Sequence, residues 1–167
     1  MPKLSYKKGI TFISILATIV VIMILIGAVV ISANNLIPET IDKKFANEIY
    51  TIQKKVEEYN FKNSTYPVED VNINYTIPDG YQEQFNGETI QNSTVVLKPI
   101  NLAKADIEDS YYGNKQDGED DIYVVSETTG KVYYLKGYKG NSKDTKGKVY
   151  YTLTSDLSKL IGISNVK

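Results

Sequence analysis

The chain has 167 residues, room for one modest domain beside any membrane segment. Its 19 basic residues are all lysine and stand against 20 acids, a net charge of -1, which excludes bulk attraction to nucleic acid or anionic lipid and removes arginine, the bidentate reader of phosphate and guanine. There is no cysteine and no histidine, hence no disulfide framework, no thiolate nucleophile and no imidazole for general-base or zinc chemistry, so an enzyme is not expected.

Lys3, Lys7 and Lys8 lead the chain, with no acid before them. From Gly9 to Pro38 there is no charged side chain, and residues 10–31 are strongly apolar. A bilayer core needs about 20 apolar residues in a helix, so this run is predicted to span. A secretory signal has an apolar region of only about 7–15 residues. Ile31 and Ala33, ahead of Asn34, supply a loose signal-peptidase site and the competing reading. The lysines hold the N-terminus in the cytoplasm, which puts the rest of the chain outside as a single-pass membrane protein.

The order "KKG-ITFIS" resembles the type IV prepilin signal, shared by type IV pilins and by the pseudopilins of type II secretion and DNA-uptake machines. Gly9 matches the glycine after which prepilin peptidase cuts, and Ile10 the residue that is then N-methylated. Thr11 matches the small hydroxyl position, and Phe12 and Ile13 the apolar pair. Ser14 stands where the family usually carries Glu. The resemblance implies that Ile10, Phe12, Leu16, Val20, Leu25 and Val30 lie in the membrane and later in a filament core. It implies other pilins or pseudopilins, prepilin peptidase and an inner-membrane assembly platform as partners, and a cell-surface filament as destination. Removal of residues 1–9 takes away three lysines and no acid, which leaves 16 Lys against 20 acids, net -4.

Past Pro38, apolar residues fall at Ile41, Phe45, Ile49, Ile52, Val56 and Tyr59, spaced 4, 4, 3, 4 and 3, one stripe of an α-helix. Lys43, Lys44, Asn47, Lys54, Glu57 and Glu58 fill the other faces. Asn60 and Asn63 weaken the pattern, and Pro67 bars its continuation. Pro38 lacks a backbone donor and either kinks the helix or breaks it. A near-continuous helix from Ile10 to Tyr59 would run about 75 Å at about 1.5 Å per residue. The family resemblance implies such a stem under a globular head. The alternative is an anchor, a linker around "SANNLIPE" and a separate core helix.

The remainder reads as β-structure. Val71, Ile73, Tyr75 and Ile77 alternate with polar residues as in a half-buried strand. Pro78-Asp79-Gly80 is a turn, and Asn86-Gly87 a two-residue hairpin signal. "STVVLKPI" is a strand with Pro99 as an edge marker, and "NLAKADIED" a short helix capped by Asn101. "GKVYY" occurs at 130–134 and again at 147–151. With "DIYVVSE", the two copies are predicted to form three strands of one antiparallel sheet. Val132 and Tyr134 share one face, as do Val149 and Tyr151, and one such face is expected to cover the helix stripe. The fold class is α+β: a long N-terminal helix packed on a C-terminal antiparallel sheet, which agrees with the pilin fold. Its parts are leader 1–9, membrane or filament-core half 10–32, amphipathic half 33–61 and extracellular head 62–167.

Asp117, Glu119, Asp120 and Asp121 in "DGEDD" offer oxygen donors suited to Ca²⁺, but EF-hand spacing is absent and a solvated loop is the plainer reading. No other cofactor is expected. The 14 tyrosines suit strands, with an adhesive surface as the alternative. Lys136, Lys139, Lys143, Lys146 and Lys148, with Tyr138, offer charge and stacking to DNA, diluted by Asp144. Asn63-Ser64-Thr65 and Asn92-Ser93-Thr94 match the N-glycosylation triplet and carry no assigned role. The sequence points to a minor pilin or pseudopilin that primes or caps a filament. The alternative is a binding or adhesion module on an ordinary single-pass anchor.

Overall fold

The structure, a computed structural model, describes the backbone of residues 7–107, 110–115, 118 and 120–163, and within these the side chains of 18–21 and of 36 onward. The chain divides into two compact units, Met1–Pro38 and Glu39–Lys167. Helix α1 is assigned from Lys7–Asn63, with Pro38 inside it. In the first unit Ile19, Val20 and Val21 are roughly half exposed, as are Leu36 and Ile37. Among the described residues no helix is long and apolar enough to cross a membrane; apart from 18–21, the side chains of the run 10–31 lie outside them.

The second unit is α+β. Strands β1 (Ile73–Thr76), β2 (Thr94–Pro99), β3 (Tyr123–Val125) and β4 (Val132–Tyr134) form an antiparallel sheet in the order β1-β2-β3-β4. Strands β5 (Tyr138–Lys139) and β6 (Val149–Tyr150) pair as a separate ribbon, and helix α2 (Ser155–Leu160) comes after them. Side chains alternate across a strand, so the sheet separates two apolar clusters. Tyr123 and Val125 of β3, and Val132 and Tyr134 of β4, pack with Phe45, Ile49, Ile52 and Val56 of α1. Val124 and Tyr133 point the other way, to Ile77, Phe85, Val95 and Leu97. The expected cover of the helix stripe by Val132 and Tyr134 is thus observed. The stripe begins at Asp42, which is fully buried, while Ile41 is 40% exposed.

Four local expectations need correction. First, the strand in "VNINYTI" starts only at Ile73, and Val71 is exposed. Second, Asn86-Gly87 does not join two strands. It comes after a 3₁₀ turn at Gln82–Phe85, and Gly87, at φ +94°, brings Glu88 back beneath the β3–β4 turn. There the Glu88 carboxylate accepts hydrogen bonds from the hydroxyls of Ser126, Thr129 and Tyr133. The two-residue hairpin is instead Asn92-Ser93, flanked by reciprocal bonds between Gln91 and Thr94 (2.9 and 2.8 Å). Both central residues have positive φ, 49° and 60°, as a type I′ turn requires. Asn tolerates that region and Ser does not. Replacing Ser93 with glycine is therefore expected to stabilise the fold by roughly 0.5–1 kcal/mol. A urea midpoint that fell instead would contradict the turn assignment.

Third, in "NLAKADIED" residues 101–107 make turns rather than a helix, and Glu108 and Asp109 lie outside the described residues. Asn101 Oδ1 does accept the Lys104 N–H at 3.0 Å, but Asp106 takes a left-handed φ of 57° and ends the turn. Fourth, the "GKVYY" copies do not share a sheet. A turn closed by the Gly137 N–H on the Tyr134 carbonyl (3.2 Å) ends β4. Gly137 packs so closely on the second copy that a Cβ there would lie 2.7 Å from Val149. The copies start 17 residues apart, an odd number, while even-numbered positions stay on one side: Tyr150 joins the α1 cluster, as Tyr134 and Tyr138 do, and Val149 and Tyr151 join the other.

Candidate functional site

Three polar side chains of α1, Asp42 within the covered stripe and Glu48 and Gln53 beside it, each grip a different loop of the sheet domain. Gln53 presents an amide to the free edge of β4. Its Nε2 donates to the Gly130 carbonyl at 2.9 Å and its Oε1 accepts the Val132 N–H at 2.8 Å, in place of a neighbouring strand. Glu48 accepts the N–H groups of Tyr111 (3.0 Å) and Tyr112 (2.9 Å) and the hydroxyls of Ser110 (2.9 Å) and Tyr123 (3.0 Å).

Asp42 is the most enclosed of the three. Its carboxylate accepts the Tyr138 hydroxyl at 2.6 Å, the Asn141 N–H at 3.0 Å, the Ser142 N–H at 2.9 Å and the Thr145 hydroxyl. The loop between β5 and β6 is thereby wrapped around a single charge. Burial raises the carboxyl pKa, but the hydrogen bonds from Ser142, Thr145 and Tyr138 outweigh it and hold the group at about 2. Burial pushes the Tyr138 phenol above its usual range, and Asp42 beside it pushes the same way. Tyr123 is raised likewise, by burial and then by the charge of Glu48. The Asp42 carboxylate stays ionised and both phenols stay protonated near neutral pH, so these groups anchor loops rather than move protons.

Of the residues singled out in the sequence, Gly9, Ile10, Phe12, Ser14, Leu16, Leu25 and Val30 fall within α1, and their side chains lie outside the described residues. Val20 is described and 49% exposed. Asp117 and Glu119 lie outside the described residues; Asp120 is exposed. Asp121 turns inward, its Oδ1 accepting the Gly113 N–H at 3.0 Å and the Tyr134 hydroxyl at 2.7 Å. Among the described residues no group of three acids is arranged for a metal. Tyr138 is buried and stacks on Phe45 with ring centroids 4.1 Å apart, so it offers no face to a nucleobase. Tyr123, Tyr133, Tyr134, Tyr150 and Tyr151 are buried too, whereas Tyr111 is 63% exposed beneath the Lys44 ammonium, 3.1 Å from its ring centroid.

The anchoring role of Asp42, Glu48 and Gln53 was missed by sequence reasoning. One signal was there for Asp42. Counting back three from Phe45, rather than four, puts a carboxylate inside the apolar stripe. Glu48 and Gln53 are not distinguishable by pattern from Lys44 or Glu57.

The chain matches no protein-family model, no curated protein and no solved structure. The class its fold defines is an α+β domain in which an antiparallel sheet covers one face of a helix.

Proposed function

We propose that the chain is a minor pilin or pseudopilin, a structural subunit of a type IV pilus or type II secretion-like filament, released by prepilin peptidase after Gly9. The order Lys7-Lys8-Gly9-Ile10-Thr11 at the head of an apolar run carries this reading. The amphipathic stretch beyond that run supports it, because its stripe, at Phe45, Ile49, Ile52 and Val56, is covered by an antiparallel sheet. In this reading residues 10–32 sit first in the membrane and then in the filament core. Residues 62–167 form the external head, and the partners are other pilins, the peptidase and the assembly platform.

Ser14 assigns the subunit a minor place. In the family the Glu at this position faces the N-terminal amine of a neighbouring subunit. Removing one partner of a buried ion pair costs about 3–5 kcal/mol, and a hydroxyl supplies no compensating charge. A subunit with Ser14 suits the tip, where no earlier neighbour presents an amine. Ser14→Glu is expected to raise the amount of this protein in sheared filaments several-fold. Unchanged incorporation along the shaft would contradict the charge argument.

A further inference from the structure

We infer that the outer edge of β1 is a docking site for an extended segment of a partner protein, which adds to the sheet as a fifth strand, carries alternate apolar side chains and is basic at both ends. This inference does not depend on how the N-terminus is processed.

The sheet order leaves two edges, and among the described residues only the β4 edge is closed. Along β4 the Val132 N–H goes to Gln53, the Tyr134 N–H goes to the Tyr151 carbonyl (2.7 Å), and the Val132 carbonyl accepts the Thr152 hydroxyl (2.8 Å). Along β1 the Ile77 N–H donates to the Ser93 carbonyl at 2.8 Å, and Tyr75 and Ile73 stand opposite Val95 and Leu97. Backbone groups alternate in direction along an antiparallel strand. Those of Ile73, Tyr75 and Ile77 therefore face β2, and those of Asn74 and Thr76 face outward. Asn74 and Thr76 are both exposed, and their N–H and C=O groups find no partner among the described residues.

Edges are ordinarily guarded by an inward charge, a lysine, a proline or a bulge. No charged residue occurs between Asp70 and Asp79, and no proline or bulge falls within Ile73–Thr76; the register shift against β2 lies before it, between the Val68–Ile100 bridge and the Ile73–Leu97 pair. Three features specify the occupant. The outward row of donors and acceptors calls for an extended backbone. On the inner face Ile73 and Tyr75 are only half buried at the rim of the cluster around Phe85, while Ile77, farther in, is 2% exposed. Apolar side chains at every second position of an added strand would cover them. At the two ends Asp70 and Asp79 are exposed, with Glu69 beside Asp70, and they complement a basic residue at each end of the segment.

The test uses the full chain in detergent micelles and the synthetic peptide Lys-Thr-Val-Thr-Val-Thr-Lys, with residue-resolved amide hydrogen exchange as the readout. Without peptide, the amides of Asn74 and Thr76 exchange fast. With saturating peptide they slow by at least about tenfold. The same peptide N-methylated at alternate residues gives no protection. Thr76→Lys, a surface change expected to leave thermal unfolding unmoved, weakens binding by at least about fivefold, as does Asp79→Lys. Three results would each overturn the inference: protection lying elsewhere than β1, equal protection by the N-methylated peptide, or slow exchange of these amides in the free protein. Protection that grows with protein concentration and needs no peptide would assign the edge to a second copy instead, and would also overturn it.

Discussion

Phe45→Ala is expected to destabilise the unit Glu39–Lys167 by about 3–5 kcal/mol. Phe45 has no exposed surface and stands at the centre of the cluster that joins α1 to the sheet domain. Its ring stacks on Tyr138 at an interplanar angle of 9°, meets Tyr112 edge-on with centroids 5.2 Å apart, and touches Tyr134 at 5.8 Å. Alanine removes all three ring contacts and leaves a void that a helix backbone on one side and a paired strand on the other cannot close. Typical domains hold only about 5–15 kcal/mol in total, so the variant would be close to unfolded at 37 °C. Urea denaturation of a fragment of residues 39–167 measures the effect. Ile41→Ala is the comparison: the same helix, but a side chain 40% exposed, and a change within about 0.5 kcal/mol. A Phe45→Ala loss as small as that of Ile41→Ala would mean that the sheet does not rest on this stripe.

Asp42→Ala is expected to cost about 3 kcal/mol, by a different route. The void is small, but the N–H groups of Asn141 and Ser142 and the hydroxyls of Tyr138 and Thr145 lose their acceptor. Each buried donor left unmatched costs about 1–3 kcal/mol, and relaxation of the loop recovers part of the sum. The loss also has a pH signature. The Asp42 carboxyl sits at about 2 in the fold, below its ordinary value of 3.8, so the unfolded chain takes up the proton first as pH falls. Its contribution, on the order of 2 kcal/mol, is therefore full above the ordinary carboxylate value and is lost as pH drops through about 2. The gap between wild type and Asp42→Ala should narrow over that interval. A gap that held constant from pH 6 to pH 2 would show that charge plays no part in holding the loop. Phe45 and Asp42 share Tyr138 as a partner, so the double variant should lose less than the two single losses added together.

The long elements were legible in the sequence because their patterns are long. The 3–4 spacing from Phe45 to Val56 names four residues that the structure buries, and "STVVLKPI" gives β2 within a residue or so at either end. Short elements depend on a few dihedral angles and escaped. Asn86-Gly87 carries the stronger hairpin signal, yet its flanks lack strand alternation and it serves to place Glu88. Asn92-Ser93 makes the type I′ turn without glycine, because Thr94 and Gln91 bond across it. The identical "GKVYY" copies diverge because a strand reads only parity. They start 17 residues apart, an odd number, so equivalent residues fall on opposite faces. The polar anchors were hidden for a related reason. Asp42, Glu48 and Gln53 are defined by the loops that meet them, and those loops lie from 62 to 103 residues away along the chain.

The proposal of a pilin-type subunit rests on the N-terminus, and the most direct measurement is the mass and sequence of the first peptide of the protein recovered from cells that produce the full chain. The expected product starts at Ile10 and carries one methyl group on its amine. A chain that keeps Met1, as an uncut anchor would, or that starts at Asn34, as signal peptidase would leave it, contradicts the proposal.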